Sequence, residues 1–521
     1  MMEQKMLNRL FSIVFSLLMS TQLAAADFVT PLEESAWSSL TSHAQMMDYL
    51  EALVDSSSRV KMTSIGTSVS GNSIPALFFS QDTVFASRRE DKPVVMIICQ
   101  QHGNEPSSKE AAMIVTRRLL NEDSGLLENI DLILVPQVNP DGSDGGSRYN
   151  ANEMDLNRNH VILSEPESNA VHQLFLDWMP EVTLDVHEYN AVVESWVAAG
   201  YIKDADEMLG GVTNLNIDPE IIAFTRNTFI PETGKGIEAD GFRFHRYIVG
   251  GPFEDGVVRF STTAINDGRQ SFGIYNTLSF IIEGKRYGNL SNEIEKRTHG
   301  QVSAMLNFLK TTNRHADDML SIVTRARKRI EEVNQSHIQM EYFPDKDSPV
   351  LNFPVFDLNS WTHTNRDLEH FKPLVKIKKS VIKPAAYSFA ATETQLIELL
   401  HRHRIPMLVL KGGQQADTET YQVKHITDAI DEEKPTLQMD LEKTMQNETL
   451  QAGTIIVPVE AAASNLIPLL LEPESTWGIV SERATGKYGF DSYLAEGKPY
   501  PVKRIKSIAH LDTEKLDRQA Q

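Results

Sequence analysis

A single cysteine, Cys99, in 521 residues rules out an intramolecular disulfide. Stability must therefore come from packed cores and from any bound metal. Cys99 closes an apolar run and is expected to be buried and inert. Basic residues are few beside acidic ones, 50 Lys and Arg against 71 Asp and Glu, a formal net charge of −21. Nucleic acid is thereby not expected as a partner, because phosphate binding needs clustered Lys and Arg. Net charge bears on solubility and steering and leaves the chemistry of any local site open. Long apolar runs are missing as well. The run Leu10 to Met19 is far shorter than the roughly 20 residues a spanning helix needs. It follows Lys5 and Arg9 and precedes Ala24, Ala25 and Ala26, the pattern of a cleaved export signal. Residues 1–26 are expected to be removed, giving a periplasmic or secreted protein with no membrane span. Since that segment carries Lys5 and Arg9 against Glu3, its loss leaves a net charge of −22.

What is present is ordinary globular composition, 41% hydrophobic and 23% charged, in a chain long enough for roughly two to three domains. Between Asp27 and about His337, short apolar runs alternate with helical patterns, which predicts an α/β layer structure with mostly parallel strands. The expected strands are Val94 to Cys99, Leu132 to Val135, Val182 to Val186 and Thr277 to Ile282. The expected helices are Ser107 to Leu120, Ala170 to Trp178, Asn292 to Leu309 and Asp317 to Asn334. From residue 338 the character changes. Pro344, Pro349, Pro354 and Pro373 break up short mixed runs, and 338–521 is expected to form a second, smaller β-rich domain with one helix over Glu393 to His403. Strands are expected at Leu408 to Lys411, Tyr421 to His425 and Gly453 to Val457.

The stretch QQHGNEPSSKEAA, beginning at Gln100, places His102 and Glu105 just beyond the first of those strands. Alone, the pair reads more simply as a surface turn than as two ligands of one cation. His187 follows the strand Val182 to Val186, and Glu283 follows Thr277 to Ile282. In open α/β sheets ligands collect at the carboxyl ends of strands, where all four residues are expected. Two imidazoles with one carboxylate form a catalytic zinc set that leaves a position for water, and they suit zinc better than the oxygen-rich shells of calcium or magnesium. Between these segments, NPDG at Asn139 to Gly142 reads as a turn in which Gly142 takes positive φ. DLNRN at Asp155 to Asn159 offers Asn157 and Arg158 on a loop, either solvated or arranged to hold an anionic chain end.

Together, HxxE at His102 and Glu105, NPDG, RxN at Arg148 to Asn150, DLNRN, the strand-terminal His187 and the strand-terminal Glu283 resemble the zinc carboxypeptidase family over roughly residues 60 to 310. The resemblance implies a mixed sheet of about eight strands with helices on both faces. It also implies one Zn2+ per chain on His102, Glu105 and His187, with Asn157 and Arg158 receiving the substrate's terminal carboxylate. Arg148 would stabilise the oxyanion and Glu283 would act as general base. The 82 positions between Glu105 and His187 are similar to compact bacterial members that act on cell-wall peptides. The family's substrate-binding tyrosine falls on Tyr247, on Tyr275 or on neither. Asp255, Asp267 and Arg269 read as solvated loop charges, with a role in substrate charge preference as the other reading. HRHR at His401 to Arg404 reads as an exposed helix end. Segments at Pro384 to Phe389, Leu399 to Pro406 and Leu469 to Gly478 resemble a C-terminal module found behind some bacterial carboxypeptidase-like domains.

Three functions follow as expectations. The first is an exported zinc metallocarboxypeptidase acting on peptides or peptidoglycan stem peptides. The second is an N-acyl amino acid deacylase or amidase of the succinylglutamate desuccinylase type, which HGNEP also resembles. The third is an inactive metal-binding recognition protein.

Overall fold

The computed structural model describes residues 28–516 apart from 82–86, 252–256, 331, 349, 432–433, 460–461, 480–489 and 491–492. The expected export segment and Asp255 lie outside the described residues.

Ten strands precede residue 290: β1 (Val60–Thr67), β2 (Ser73–Phe79), β3 (Val94–Cys99), β4 (Asp131–Val135), β5 (Val182–Asn190), β6 (Tyr201–Lys203), β7 (Glu207–Gly211), β8 (Phe244–Arg246), β9 (Val258–Arg259) and β10 (Leu278–Arg286). Eight of them form one sheet in the order β1-β2-β4-β3-β5-β10-β7-β8. The central strands β4, β3, β5 and β10 run parallel, and antiparallel pairs lie toward the edges. Every residue of β3 (VVMIIC) and β4 (DLILV) is buried. A strand buried on both sides is covered by layers on both faces, which is why these runs are continuously apolar rather than alternating. Helix Ser107–Leu120 packs against the long helix Ile294–Arg314, and helix Pro166–Trp178 packs against β1. The mixed, mostly parallel sheet matches expectation, and Cys99 is fully buried in it.

Some element bounds differ from the sequence reading. β5 continues to Asn190 and β10 to Arg286, so His187 and Glu283 lie within these strands and face each other in register. Helix Ala316–Arg329 stops short of Asn334 because the chain enters a strand at Gln335. NPDG is no turn: Pro140–Gly145 is a short helix whose N-cap Asn139 accepts the Gly142 N–H at 2.8 Å. Gly142 is needed for close approach rather than for positive φ. A Cβ on Gly103 would lie 2.0 Å from the Gly142 carbonyl carbon, and one on Gly142 would lie 2.4 Å from the Tyr149 oxygen.

Beyond residue 334 the chain is β-rich. β11 (Gln335–Phe343) pairs with β15 (Leu374–Ile382); β12 (Leu351–Asp357) pairs with β13 (Thr362–Leu368) and also with β6, while β14 (Phe371–Lys372) pairs with β9. Phe353, Val355, Leu368 and Phe371 share a small core with Tyr189 and Trp196. A seven-stranded sheet follows, dominated by the long hairpin of Gln414–Asp431 and Lys434–Leu450, and helix Thr394–Arg402 lies within this region. No helix among the described residues is long and apolar enough to cross a membrane.

Candidate metal centre and active site

At the exit of β3, Gln100 takes a left-handed conformation (φ 55°), rare for a residue with a side chain, and its amide donates to the Gly103 carbonyl at 3.0 Å. This sharp exit turns His102 and Glu105 back over the sheet edge before helix Ser107–Leu120 begins. β5 brings His187 to the same point. In a strand, alternate residues share a face, so Asp185 accompanies His187 while Glu188 points to the other side. There Glu188 accepts from the Ser107 N–H (3.1 Å) and pairs with Arg297 (2.8 Å), tying the helix start to the strand.

The three buried residues converge. His102 Nδ1 and His187 Nδ1 are 3.1 Å apart, and each lies 2.9 Å from one oxygen of Glu105. Donors about 2.0–2.1 Å from a tetrahedral zinc ion would be separated by about 3.3 Å, so the observed edges fit with slight opening. Each Nε2 has its own carboxylate: Asp155 at 3.0 Å from His102 and Asp185 at 2.8 Å from His187. Each Nε2 thus faces outward to a carboxylate, and both Nδ1 atoms face inward with the Glu105 oxygens on one point, where a cation would bridge them. The donor set therefore fits zinc. Burial acts to raise the Glu105 carboxyl, yet the adjacent His102 and His187 hold it well below the usual range. Burial likewise opposes charge on His187, but Asp185 and Glu105 raise its basicity well above the ordinary value.

The other expected residues gather around this centre. A cavity of about 370 Å³ is bounded by His102, Glu105, Arg148, Asn157, Arg158 and Glu283 among others. Arg148 bonds Asp155 through Nε at 3.0 Å and approaches Glu105 at 3.5 Å, which leaves part of its fork directed at the cavity. The Asn157 oxygen accepts the Gly268 N–H at 2.8 Å, and its amide nitrogen is 3.0 Å from His187 Nε2. Burial and the charge of Glu105 raise the Glu283 carboxyl above the usual range, against the pull of His187, His102 and Lys203.

The two tyrosines separate. Tyr275 is 2% exposed and packs against Phe175 in the core, whereas Tyr247 lies on the cavity wall. Asp267 and Arg269 are buried, not solvated. His403 is not at an exposed end either: it is 3% exposed, bonds the Val161 carbonyl at 2.7 Å and stacks edge-on with His172.

Asp155 and Asp185 were given no role by the sequence reading. The signal for Asp185 is its place two residues before a strand histidine, which puts both on one face. Asp155 had only its motif, since a contact 53 positions away from His102 leaves no local pattern.

A family model described as zinc carboxypeptidase matches residues 46–203. Carboxypeptidase 2 of Trichophyton tonsurans is 24% identical over 417 residues, covering 78% of this chain and 75% of that protein. Carboxypeptidase 2 of Trichophyton rubrum is 28% identical over 233 residues, 44% of this chain and 43% of that protein. Among solved structures, carboxypeptidase A of Helicoverpa armigera aligns with 58% of this chain and 82% of its own at 20% identity, with a TM-score of 0.42.

Proposed function

Since the chain belongs to the zinc carboxypeptidase family, we propose that it is an exported metallocarboxypeptidase that hydrolyses the C-terminal bond of peptides, peptidoglycan stem peptides included, with one zinc ion per chain. The observation that carries this reading is the convergence of His102 Nδ1, His187 Nδ1 and the Glu105 carboxylate, with His102 and Glu105 on the wall of a cavity that is also lined by Glu283, whose carboxyl is raised, and by five arginines, Arg148 and Arg158 among them.

His102, Glu105 and His187 would hold a zinc ion, which when bound would supply Lewis-acid chemistry at the scissile carbonyl and lower the pKa of water there. Asp155 and Asp185 orient the two imidazoles with Nδ1 toward the metal position. Arg158 pairs with the terminal carboxylate of the peptide, and Asn157, held by the Gly268 N–H and by its contact with His187 Nε2, lines the cavity beside it. Arg148 stands over the carbonyl oxygen as charge develops, a contact of the kind worth about 2.7–4 kcal/mol. Glu283 takes a proton from the attacking water and passes it to the departing nitrogen. Its raised pKa brings it nearer to neutrality, where such a shuttle works best. The N-terminal sequence supports export, and the β-rich region buttresses the cavity through β12 and β14.

The test compares zinc-loaded protein on unblocked peptides and on N-acyl amino acids, with released amino acids measured by mass spectrometry. Release of single C-terminal residues from peptides is expected. Turnover of acyl amino acids alone would favour the deacylase, and no turnover with zinc bound would favour a recognition protein.

A further inference from the structure

From the charges buried around the cavity, and resting on the carboxypeptidase reading, we propose that Arg269, supported by Arg259, selects substrates whose C-terminal residue has an acidic side chain. Arg269 is 1% exposed and lines the cavity. Its Nη2 donates to Asp267 at 3.0 Å, while Nε and Nη1 are buried without a hydrogen-bond acceptor among the described residues. The Tyr247 ring lies 5.7 Å from the guanidinium carbon on the same wall.

Asp267 offsets only one of the two positive charges on this wall. One of its oxygens caps helix Gly268–Gly273 by accepting the Gln270 N–H at 2.8 Å, and the other holds Arg269, so both are engaged in shaping the wall. Arg259, buried on the same cavity, donates to the Ser261 carbonyl and lies over the Tyr342 ring at 5.4 Å, and among the described residues no carboxylate pairs with it. Two guanidinium groups thus face one committed carboxylate. Arg158 is left for the substrate's main-chain carboxylate, and the surplus positive charge meets the side chain. A buried guanidinium with idle N–H donors is satisfied by an acceptor from the ligand. An aliphatic side chain would leave those donors idle, and a basic one would add like charge in a site of low dielectric.

The experiment uses the full-length zinc-loaded protein and a series of peptides identical except for a C-terminal Glu, Leu or Lys. In parallel, binding of N-acetyl-glutamate and N-acetyl-leucine is measured by calorimetry. The expected result is kcat/KM for Glu at least about tenfold above Leu and higher still above Lys, with N-acetyl-glutamate the tighter ligand. Arg269→Gln is expected to lower the Glu-to-Leu ratio of kcat/KM about tenfold, with Arg269→Lys restoring part of it. A wild-type preference for Lys, which would assign control to Asp267, or for Leu, overturns the proposal whether or not the variants fold. Selective binding of N-acetyl-glutamate without turnover of any peptide would retain the acidic pocket and refute the carboxypeptidase reading instead.

Discussion

Replacing Asp185 by asparagine changes a single buried atom, but it strikes the support of a proposed metal ligand, His187. Asp185 Oδ1 is 2.8 Å from His187 Nε2, and Oδ2 accepts the Gln101 amide at 2.9 Å. The asparagine can accept from only one side. If its oxygen stays with His187, its NH2 meets the Gln101 NH2, donor against donor. Gln101 must then rotate, which takes its oxygen away from His160 Nε2, now 2.8 Å distant, and disturbs the His160–His172 contact behind it. The negative charge that raises the basicity of His187 is lost as well. Removing such a carboxylate partner typically lowers metal affinity about 10–100-fold, or about 1.4–2.8 kcal/mol. Zinc affinity measured by chelator competition should fall by that factor in Asp185→Asn, with Tm of the zinc-free protein as the check on folding. Adding Gln101→Glu supplies the missing acceptor and should recover part of the loss. A folded Asp185→Asn protein that binds zinc within about twofold of wild type would refute the reasoning.

Other outcomes follow from the same geometry. Glu283→Gln should retain zinc while kcat falls by about 10²–10⁴-fold, the range for losing a general base, as read by metal analysis and steady-state kinetics. Because burial raises the Glu283 carboxyl and the reaction needs it ionised, activity should be lost as pH falls through a value above the usual glutamate range. A kcat/KM profile should show a one-proton acid limb there. Gly103→Ala places a methyl group against the Gly142 backbone, which cannot retreat as a flexible side chain could, and should destabilise the protein by at least about 1–3 kcal/mol in denaturant unfolding. Removing zinc with a chelator should lower Tm reversibly, since zinc at about 100 times its Kd adds about 2.7 kcal/mol to the folded state.

Much of this was readable in the chain because each layer carries its own signal. β3 is a run of six buried apolar residues bounded by polar ones, and its limits at Val94 and Cys99 came straight from that contrast. The helix Ser107–Leu120 likewise matched its periodicity. The ends of β5 and β10 were missed because polar His187, Glu188 and Glu283 interrupt the apolar pattern while the backbone ladder continues. Hydrogen bonding to neighbouring strands, not hydropathy, sets those ends. The proposed ligands His102, Glu105 and His187 were legible as residues past or near strand ends. The carboxylates behind them were harder to see, since Asp155 acts across a long separation. His403 misled for the opposite reason. Its charged neighbours Arg402 and Arg404 suggest solvent, whereas the packing of helix Thr394–Arg402 on Val161 and His172 buries it. The same applies to Arg269, where burial of a charged loop residue arises only once the cavity wall closes around it.

The most direct measurement is anomalous diffraction at the zinc edge from crystals of the zinc-loaded protein. The account predicts one strong peak within about 2.0–2.2 Å of His102 Nδ1, His187 Nδ1 and a Glu105 oxygen. A peak bound elsewhere, or none at these three donors while the protein is saturated with zinc, would contradict it.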